Sequence, residues 1–412
     1  MKGTHVKLLL IMAWRNIWRN RRRTLLTMAS IVLAIVLSVV MRSMQLGSYK
    51  KMIDDVVGTY TGHLQVHKKG YWDDKSIDNT FFAPDSLLSS LAALPGVRSV
   101  IPRFESFALA AGREHSRGSF VVGISPEKEQ TLSKLRDRVT KGEYLSSGDD
   151  GVLVAEGLAD YLKLDVGDSL ILLGQGFHGV NAAGSFRIKG IVSFASPELN
   201  RSFVYLDCGA MQRLFSAQHR LTCAVIEPVQ SKLTAATAAM LRNTLDPKSF
   251  EVLTWRQMLP ELVQQIGGDN AGGLIMLGIL YLVVAFGIFG TVLMMTTERI
   301  REFGVVNALG VSSGNLSVMV VFETILLSLL SAAAGVVLVL PIVVYFANHP
   351  IRLTGEAATA MINFGVEPVL PMLLDAKIFL AQVVVVFLIT MATVSYPLLL
   401  LRKFNPVAAM RR

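Results

Sequence analysis

The sequence lacks the signatures of a catalyst. No G-x-x-x-x-G-K-[ST] occurs in its 412 residues, so no P-loop is present to cradle a nucleotide's phosphates. No H-E-x-x-H places metal ligands on a helix, and no G-x-S-x-G raises a strained nucleophile. His63 and His67 stand four apart, but no third ligand lies near them in sequence, so no metal is assigned. Only two cysteines are present, Cys208 and Cys223, too few for a disulfide scaffold. They could bridge in an oxidising compartment or remain buried thiols on neighbouring strands. Charged residues are also sparse, at 17% against 52% hydrophobic. The net charge of +9 comes largely from Lys and Arg beside apolar runs, which argues against a nucleic-acid partner.

Long apolar runs are what the chain does have. Thr24–Met41, Ala271–Thr297, Thr324–Ile351 and Ile378–Leu401 are free or nearly free of charge, and each is near the length that crosses about 30 Å of hydrocarbon. Basic residues set their orientation. Lys2, Lys7, Arg15, Arg19, Arg21, Arg22 and Arg23 precede the first run, and Arg402, Lys403, Arg411 and Arg412 follow the last. Both termini are therefore expected on the cytoplasmic side. The first run stands too far from the start, without an A-x-A site, to be a cleaved leader, and is expected to remain as an anchor.

The fold class that follows is an α-helical membrane protein with four transmembrane helices and a large α+β extracytoplasmic domain inserted between the first and second. Residues 1–23 form a cytoplasmic amphipathic elbow, with Leu10, Ala13, Trp14 and Ile17 on one side and Arg15, Arg19 and Arg22 on the other. The spans are expected at 24–47, 269–297, 317–347 and 377–402. The soluble domain covers 48–268, a coupling element 298–316, an outer loop 348–376 and a cytoplasmic tail 403–412.

Within 48–268, short alternating runs such as Ser99–Leu109, Ser119–Gly123, Ser185–Val192 and Thr222–Glu227 read as strands between helix-like stretches such as Asp85–Leu94 and Ser231–Leu245. A split subdomain at about 58–135 and 222–255 is expected to hold an inserted, β-rich one at about 136–221. The small-residue stretch Gly174–Gly184 reads as the long exposed tip of a hairpin, and Gly267-Gly268-Asp269-Asn270 as a hinge before the second span.

The most informative segment is Glu298-Arg299-Ile300-Arg301-Glu302-Phe303-Gly304, followed by Val305-Val306-Asn307-Ala308-Leu309-Gly310. A charged, amphipathic segment between two spans must lie at a surface and meet something there. Ionisable residues are nearly absent from the spans, which disfavours a proton-coupled carrier or a polar channel. Glu323 is the exception, at the cytoplasmic end of the third span, where a basic neighbour could pair with it.

On that segment, the Ala13-Trp14-Arg15-Asn16 start and the closing Asn405-Pro406-Val407-Ala408-Ala409-Met410-Arg411, the chain resembles the FtsX-like permease family of ABC transporters, which includes MacB and the lipoprotein-releasing LolC and LolE. The resemblance implies that Glu298, Arg299, Arg301, Glu302, Phe303 and Gly304 form a coupling helix docked on a cytoplasmic ABC ATPase. In that contact the charges steer, Phe303 anchors and Gly304 permits the turn. It further implies two ATPase copies, a second permease subunit of the same or a different kind, and residence in a bacterial inner membrane with the large domain periplasmic. This chain would bind no cofactor, ATP and Mg being held by the partner.

Gly123-Ile124-Ser125-Pro126, Lys141-Gly142-Glu143, the Leu164–Asp168 turn and Gly62–His67 look more like the LolC/LolE branch. That branch implies release of lipoproteins to a periplasmic carrier. Val40, Met44, Leu274 and Leu277 would then line an acyl-chain cleft, and Gly176, Phe177, His178 and Val180 would meet the carrier. The glycine-rich hairpin departs from the proline-containing hook of that branch. MacB-like export of peptides, toxins or other periplasmic substrates, and FtsX-like signalling to a cell-wall hydrolase, are the alternatives.

Overall fold

The computed structural model describes residues 2–402 apart from 20, 195, 300–301, 305–306, 308–310 and 364–366, with backbone alone at 2–10, 23, 363, 397 and 400–402. Two compact units divide the chain. One, a helical unit, holds residues 1–50, 266–351 and 369–412; the other, a sheet unit, holds 51–265 and 352–368.

In the helical unit, a short helix Lys2–Arg19 precedes four long ones, Arg21–Val56, Pro260–Glu298, Ser313–Asn348 and Ala376–Arg402. All four are long and apolar enough to cross a bilayer. Their shared core draws Ile31 and Ile35 from the first, Ile288 and Val292 from the second, Val320 and Val339 from the third and Val386 from the fourth. Their outward faces remain apolar, with Ile275 and Phe286 each 67% exposed, as a lipid solvent requires. Gly47 marks one close approach: a Cβ there would lie 2.3 Å from the Pro371 carbonyl oxygen.

The expected hinge at Gly267–Asn270 is not a break. Helix Pro260–Glu298 runs through it, and the interruption falls at Leu259, whose φ of −123° and ψ of 60° leave the helical region. The cause is Pro260, which crowds the residue before it out of the α conformation, whereas the glycines cost only about 1 kcal/mol each in a helix that continues on both sides.

The sheet unit is built from β1 (Leu64–Lys68), β2 (Phe81–Phe82), β3 (Val97–Ala111), β4 (Ser116–Ile124), β5 (Val139–Gly142), β6 (Val152–Ala155), β7 (Ser169–Gln175), β8 (Asn181–Val192), β9 (Phe203–Asp207), β10 (Arg220–Leu221), β11 (Cys223–Pro228) and β12 (Phe250–Thr254). Ten of them form one sheet in the order β12-β1-β11-β3-β4-β9-β6-β8-β5, with β7 bridging β3 and β8. β4–β9 and β6–β8 are parallel and the remaining pairs antiparallel. Two cores lie on it. One gathers Leu64, Val66, Leu91, Ala224, Ile226 and Leu241, and the larger gathers residues between Phe104 and Ala217. Gly62, at φ +69°, turns the chain into β1, and a Cβ there would strike Val225 at 2.2 Å.

Cys208 and Cys223 are both free thiols. Burial raises both, Cys208 to about 12, so neither is a reactive thiolate.

His67 is fully buried in β1, its Nδ1 lying 2.9 Å from the Thr222 carbonyl oxygen and its ring stacked on Tyr71. Burial lowers its pKa to about 4, so the unfolded chain takes the proton first as pH falls. This residue's contribution is complete above about pH 6.5 and is lost toward pH 4, a loss of about 3 kcal/mol. Thermal melts across that window are expected to show a falling midpoint that flattens in His67→Gln; an unchanged acid slope would contradict it.

Candidate functional site

The charged segment after the second long helix is held from within. Helix Pro260–Glu298 ends where the Arg299 N–H bonds the Thr296 carbonyl at 3.2 Å, and the Phe303 N–H reaches back to the Arg299 carbonyl at 2.9 Å. The turn so formed points Arg299 inward. Its Nη1 donates to both carboxylate oxygens of Glu323 at 2.8 Å, and its Nη2 reaches the Asn16 carbonyl at 3.3 Å. Arg299 is 7% exposed and Glu323 1%. One guanidinium thus fastens the third long helix and the first short helix to the segment. A second, surface pair joins Arg19 to Glu302.

Burial at both sides makes the inner pair the strong one. An exposed ion pair contributes about 0–1 kcal/mol, whereas removing one member of a buried pair strands a charge and costs about 3–5 kcal/mol. Phe303, 3% exposed, packs into the helical core with Leu316, Met319 and Val320. Gly304 is also buried.

This placement sorts the expected contact residues. Arg299 and Phe303 face the interior of this chain rather than its surface, because one has a buried carboxylate partner and the other an apolar socket. Glu298 and Glu302 are exposed, and Arg301 lies outside the described residues. Sequence reading had the pairing of Glu323 with a basic neighbour, but nothing in spacing alone said that the neighbour would be Arg299. The one available signal was Glu323 itself, a carboxylate set in an apolar run.

The short helix packs through Ala13 and Ile17, Ile17 joining Met295 and Leu327. Trp14 and Trp18 turn outward instead, edge to face at 5.9 Å. This departs from the expected single apolar face, because amphipathic tryptophans favour an interface over a packed core. The side chain of Leu10 is outside the described residues.

Of the cleft candidates, Leu277 is buried, Val40 and Met44 pack against the helical core, and Leu274 is half exposed. The hairpin differs from its expected form. Strands β7 and β8 stay paired to Gln175 and Asn181, so the turn is only residues 176–180. The small residues serve close packing: a Cβ on Gly184 would meet Phe186 at 2.7 Å and Leu214 at 2.9 Å. The turn is pinned as well. The Phe177 N–H bonds the Phe215 carbonyl at 2.8 Å, the Arg220 guanidinium covers the Phe177 ring, and the His178 N–H donates to Asp78 at 2.8 Å. Gly176 donates its N–H to the Val180 carbonyl, and Val180 is the exposed apolar member at 49%. His63 lies 3.3 Å from Glu227.

Comparison with known proteins adds two domain matches. The description "FtsX-like permease C-terminal" fits residues 274–406, and "MacB-like periplasmic core domain" fits 24–244, more than half the chain. The lipoprotein-releasing system transmembrane protein LolC of Neisseria meningitidis is 23% identical over 76% of this chain and 75% of its own length. The pyoverdine export ATP-binding/permease protein PvdT of Pseudomonas aeruginosa is 24% identical over 80% of this chain, which spans half of PvdT. Among solved structures, the periplasmic region of MacB from Actinobacillus actinomycetemcomitans aligns at TM-score 0.36 and 15% identity, covering 50% of this chain and 94% of that one.

Arg299→Met and Glu323→Leu are each expected to lower stability by about 3 kcal/mol, and the double substitution to recover most of it, since no charge is then stranded. Glu302→Ala should cost under about 1 kcal/mol. Thermal unfolding in lipid nanodiscs measures all four; strictly additive losses would contradict a buried pair.

Proposed function

The chain belongs to the FtsX-like ABC transporter permeases that carry a MacB-like periplasmic core domain, and from that premise we propose that it couples ATP hydrolysis on a separate chain to rearrangement of the sheet unit. One observation carries this reading: the segment after the second long helix exposes Glu298 and Glu302 on a turn whose other side is fixed by Arg299, Glu323 and Phe303. A partner pressing on that turn moves a third-span carboxylate and the first short helix together. Phe303 and Arg299 act as the inner anchor, while Glu298, Glu302 and Arg301 meet the ATPase and set its register.

The basic ends of the chain support a reading in which both termini are cytoplasmic and the sheet unit, inserted between the first two spans, lies on the periplasmic face of a bacterial inner membrane. Two ATPase copies, holding the ATP and Mg, and a second permease subunit complete the assembly.

For the cargo we infer lipoprotein release, supported by the similarity to LolC and by the Gly123–Pro126 and Lys141–Glu143 motifs. Leu274, the most exposed of the four cleft candidates, would meet acyl chains beside Val40, Met44 and Leu277. Val180, at the tip of the pinned turn with Gly176, Phe177 and His178, would meet a periplasmic carrier. The similarity to PvdT, at 24% identity against 23% for LolC, favours a second reading, export of a small secreted compound.

Affinity purification of the tagged chain is expected to bring down an ABC ATPase, and Glu298→Lys with Glu302→Lys to lose it while the permease stays folded. Recovery of the permease without an ATPase would overturn the coupling. Depletion of the chain should leave lipoproteins in the inner-membrane fraction; normal lipoprotein sorting with loss of a secreted compound would reject that cargo and support export.

A further inference from the structure

A cavity of about 760 Å³ opens inside the sheet unit, within the 300–1,000 Å³ typical of small-molecule sites. Its wall is aromatic. Tyr60 meets Phe203 edge to face at 5.0 Å, Phe203 stacks on Phe120 at 5.6 Å, and Phe120 meets Phe107 at 5.9 Å, with Tyr71 and Trp72 also lining the space. The Arg103 guanidinium already covers the Tyr60 ring at 5.1 Å and Phe203 and Phe120 cover one another, so the exposed Phe107 ring is what the wall offers an incoming group as a face of negative potential.

The charges at the wall are unevenly matched. Arg103 is fully buried and already committed, its Nε and Nη2 on the Glu129 carboxylate at 2.9 and 2.6 Å and its Nη1 on the Tyr60 carbonyl. Glu105, on the cavity wall, lies 3.8 Å from the same guanidinium, with the Tyr60 hydroxyl and the Cys223 thiol beside it and Lys75 acting at longer range. Burial pushes its carboxyl up in spite of the neighbouring Arg103 guanidinium. Nearby, Lys51 serves both Asp55 and Glu367, at 2.8 and 2.7 Å, and the buried second oxygen of Asp55 has no hydrogen-bond partner among the described residues. Arg138 and Lys75 line the cavity as well, Arg138 acting on Asp55 and Lys75 on Glu105, so that with Lys51 three cations face the four carboxylates Asp55, Glu105, Glu198 and Glu367. Arg138 donates to the Ser133 carbonyl and the Thr59 hydroxyl, and Lys75, itself exposed, lies over the Trp72 ring. Glu198 adds a further carboxylate at the rim.

The cavity continues onto an apolar strip. Phe107, 60% exposed, is followed on the same face of β3 by Leu109, whose neighbour across β7 is Leu173, and then by Ala111 opposite Ile171. Leu109, Leu173 and Ile171 are each more than 40% exposed. From Phe107 to Ala111 the strand runs four residues, roughly 13 Å, room for an alkyl chain.

We propose that this cavity binds an organic ammonium carrying an alkyl chain, the cationic head enclosed by Glu105, Asp55 and the Tyr60–Phe107 aromatic wall and the chain laid along Phe107, Leu109 and Leu173. Carboxylate and ring faces together select a weakly hydrated cation over an anion or a neutral alcohol, and the strip gives affinity to the tail. The site is the same whichever cargo the transporter moves.

The test is isothermal titration of the full chain in lipid nanodiscs, empty discs subtracted, with octyltrimethylammonium, octyl sulfate and octanol. The ammonium is expected to saturate one site, roughly tenfold tighter than either other probe. Glu105→Gln should erase the preference for the cation. Phe107→Ala, an exposed position that leaves the fold intact, should weaken ammonium binding by about tenfold. Equal affinity for the three probes, no saturable ammonium signal, or binding indifferent to both substitutions would each overturn the proposal. No ATPase enters the titration, so its outcome is separate from that of the transport reading.

Discussion

The buried pair between Arg299 and Glu323 is the constraint on which the helical unit depends. A carboxylate in an apolar span is expensive, and here its cost is offset by a guanidinium supplied from the segment that follows the neighbouring helix. Because the same guanidinium also holds a backbone carbonyl of the first short helix, three sequence-distant pieces share one electrostatic joint. Phe303 adds an apolar peg four residues on. The result is a charged surface turn that cannot shift without disturbing the interior, which is what a mechanical input needs.

The sheet unit solves a different problem with a related device. Its fully buried Arg103 is satisfied by Glu129 and a backbone carbonyl, crossing from β3 to the helix Pro126–Ser133. Ten strands in one sheet let two apolar cores share a backbone scaffold, so the unit is continuous through β3, β4 and β11 although its chain leaves and returns. The leftover carboxylate of Glu105 and the aromatic wall beside it are then a chemical feature and not a packing defect, since a well-packed core would have used an apolar residue there.

Much of this was legible from the sequence, and the physical reasons differ by element. The four long helices announced themselves by uninterrupted apolar length, and β3, β4, β8 and β11 by alternation. The segment after the second long helix stood out as charge where lipid should be. Three things were not legible. The glycines at 267 and 268 suggested a hinge, but Pro260 decides where the helix breaks. The small residues near 174–184 suggested a loose tip, whereas the strands stay paired to Gln175 and Asn181 and Gly184 sits where Phe186 and Leu214 leave no room for a Cβ. Arg299 and Phe303 looked like surface contacts because residue type does not reveal which way a side chain turns; only the partner across 24 residues does.

The central claim is that the coupling turn transmits the ATPase cycle through its inner anchor to the sheet unit. Hydrogen exchange of the assembled transporter, compared with and without a non-hydrolysed ATP analogue, tests it most directly when repeated in Arg299→Met paired with Glu323→Leu, which keeps the fold but removes the joint. The account predicts nucleotide-dependent protection changes in the sheet unit of the wild-type chain that disappear in the paired variant while ATPase binding persists. Undiminished changes in that variant would contradict it.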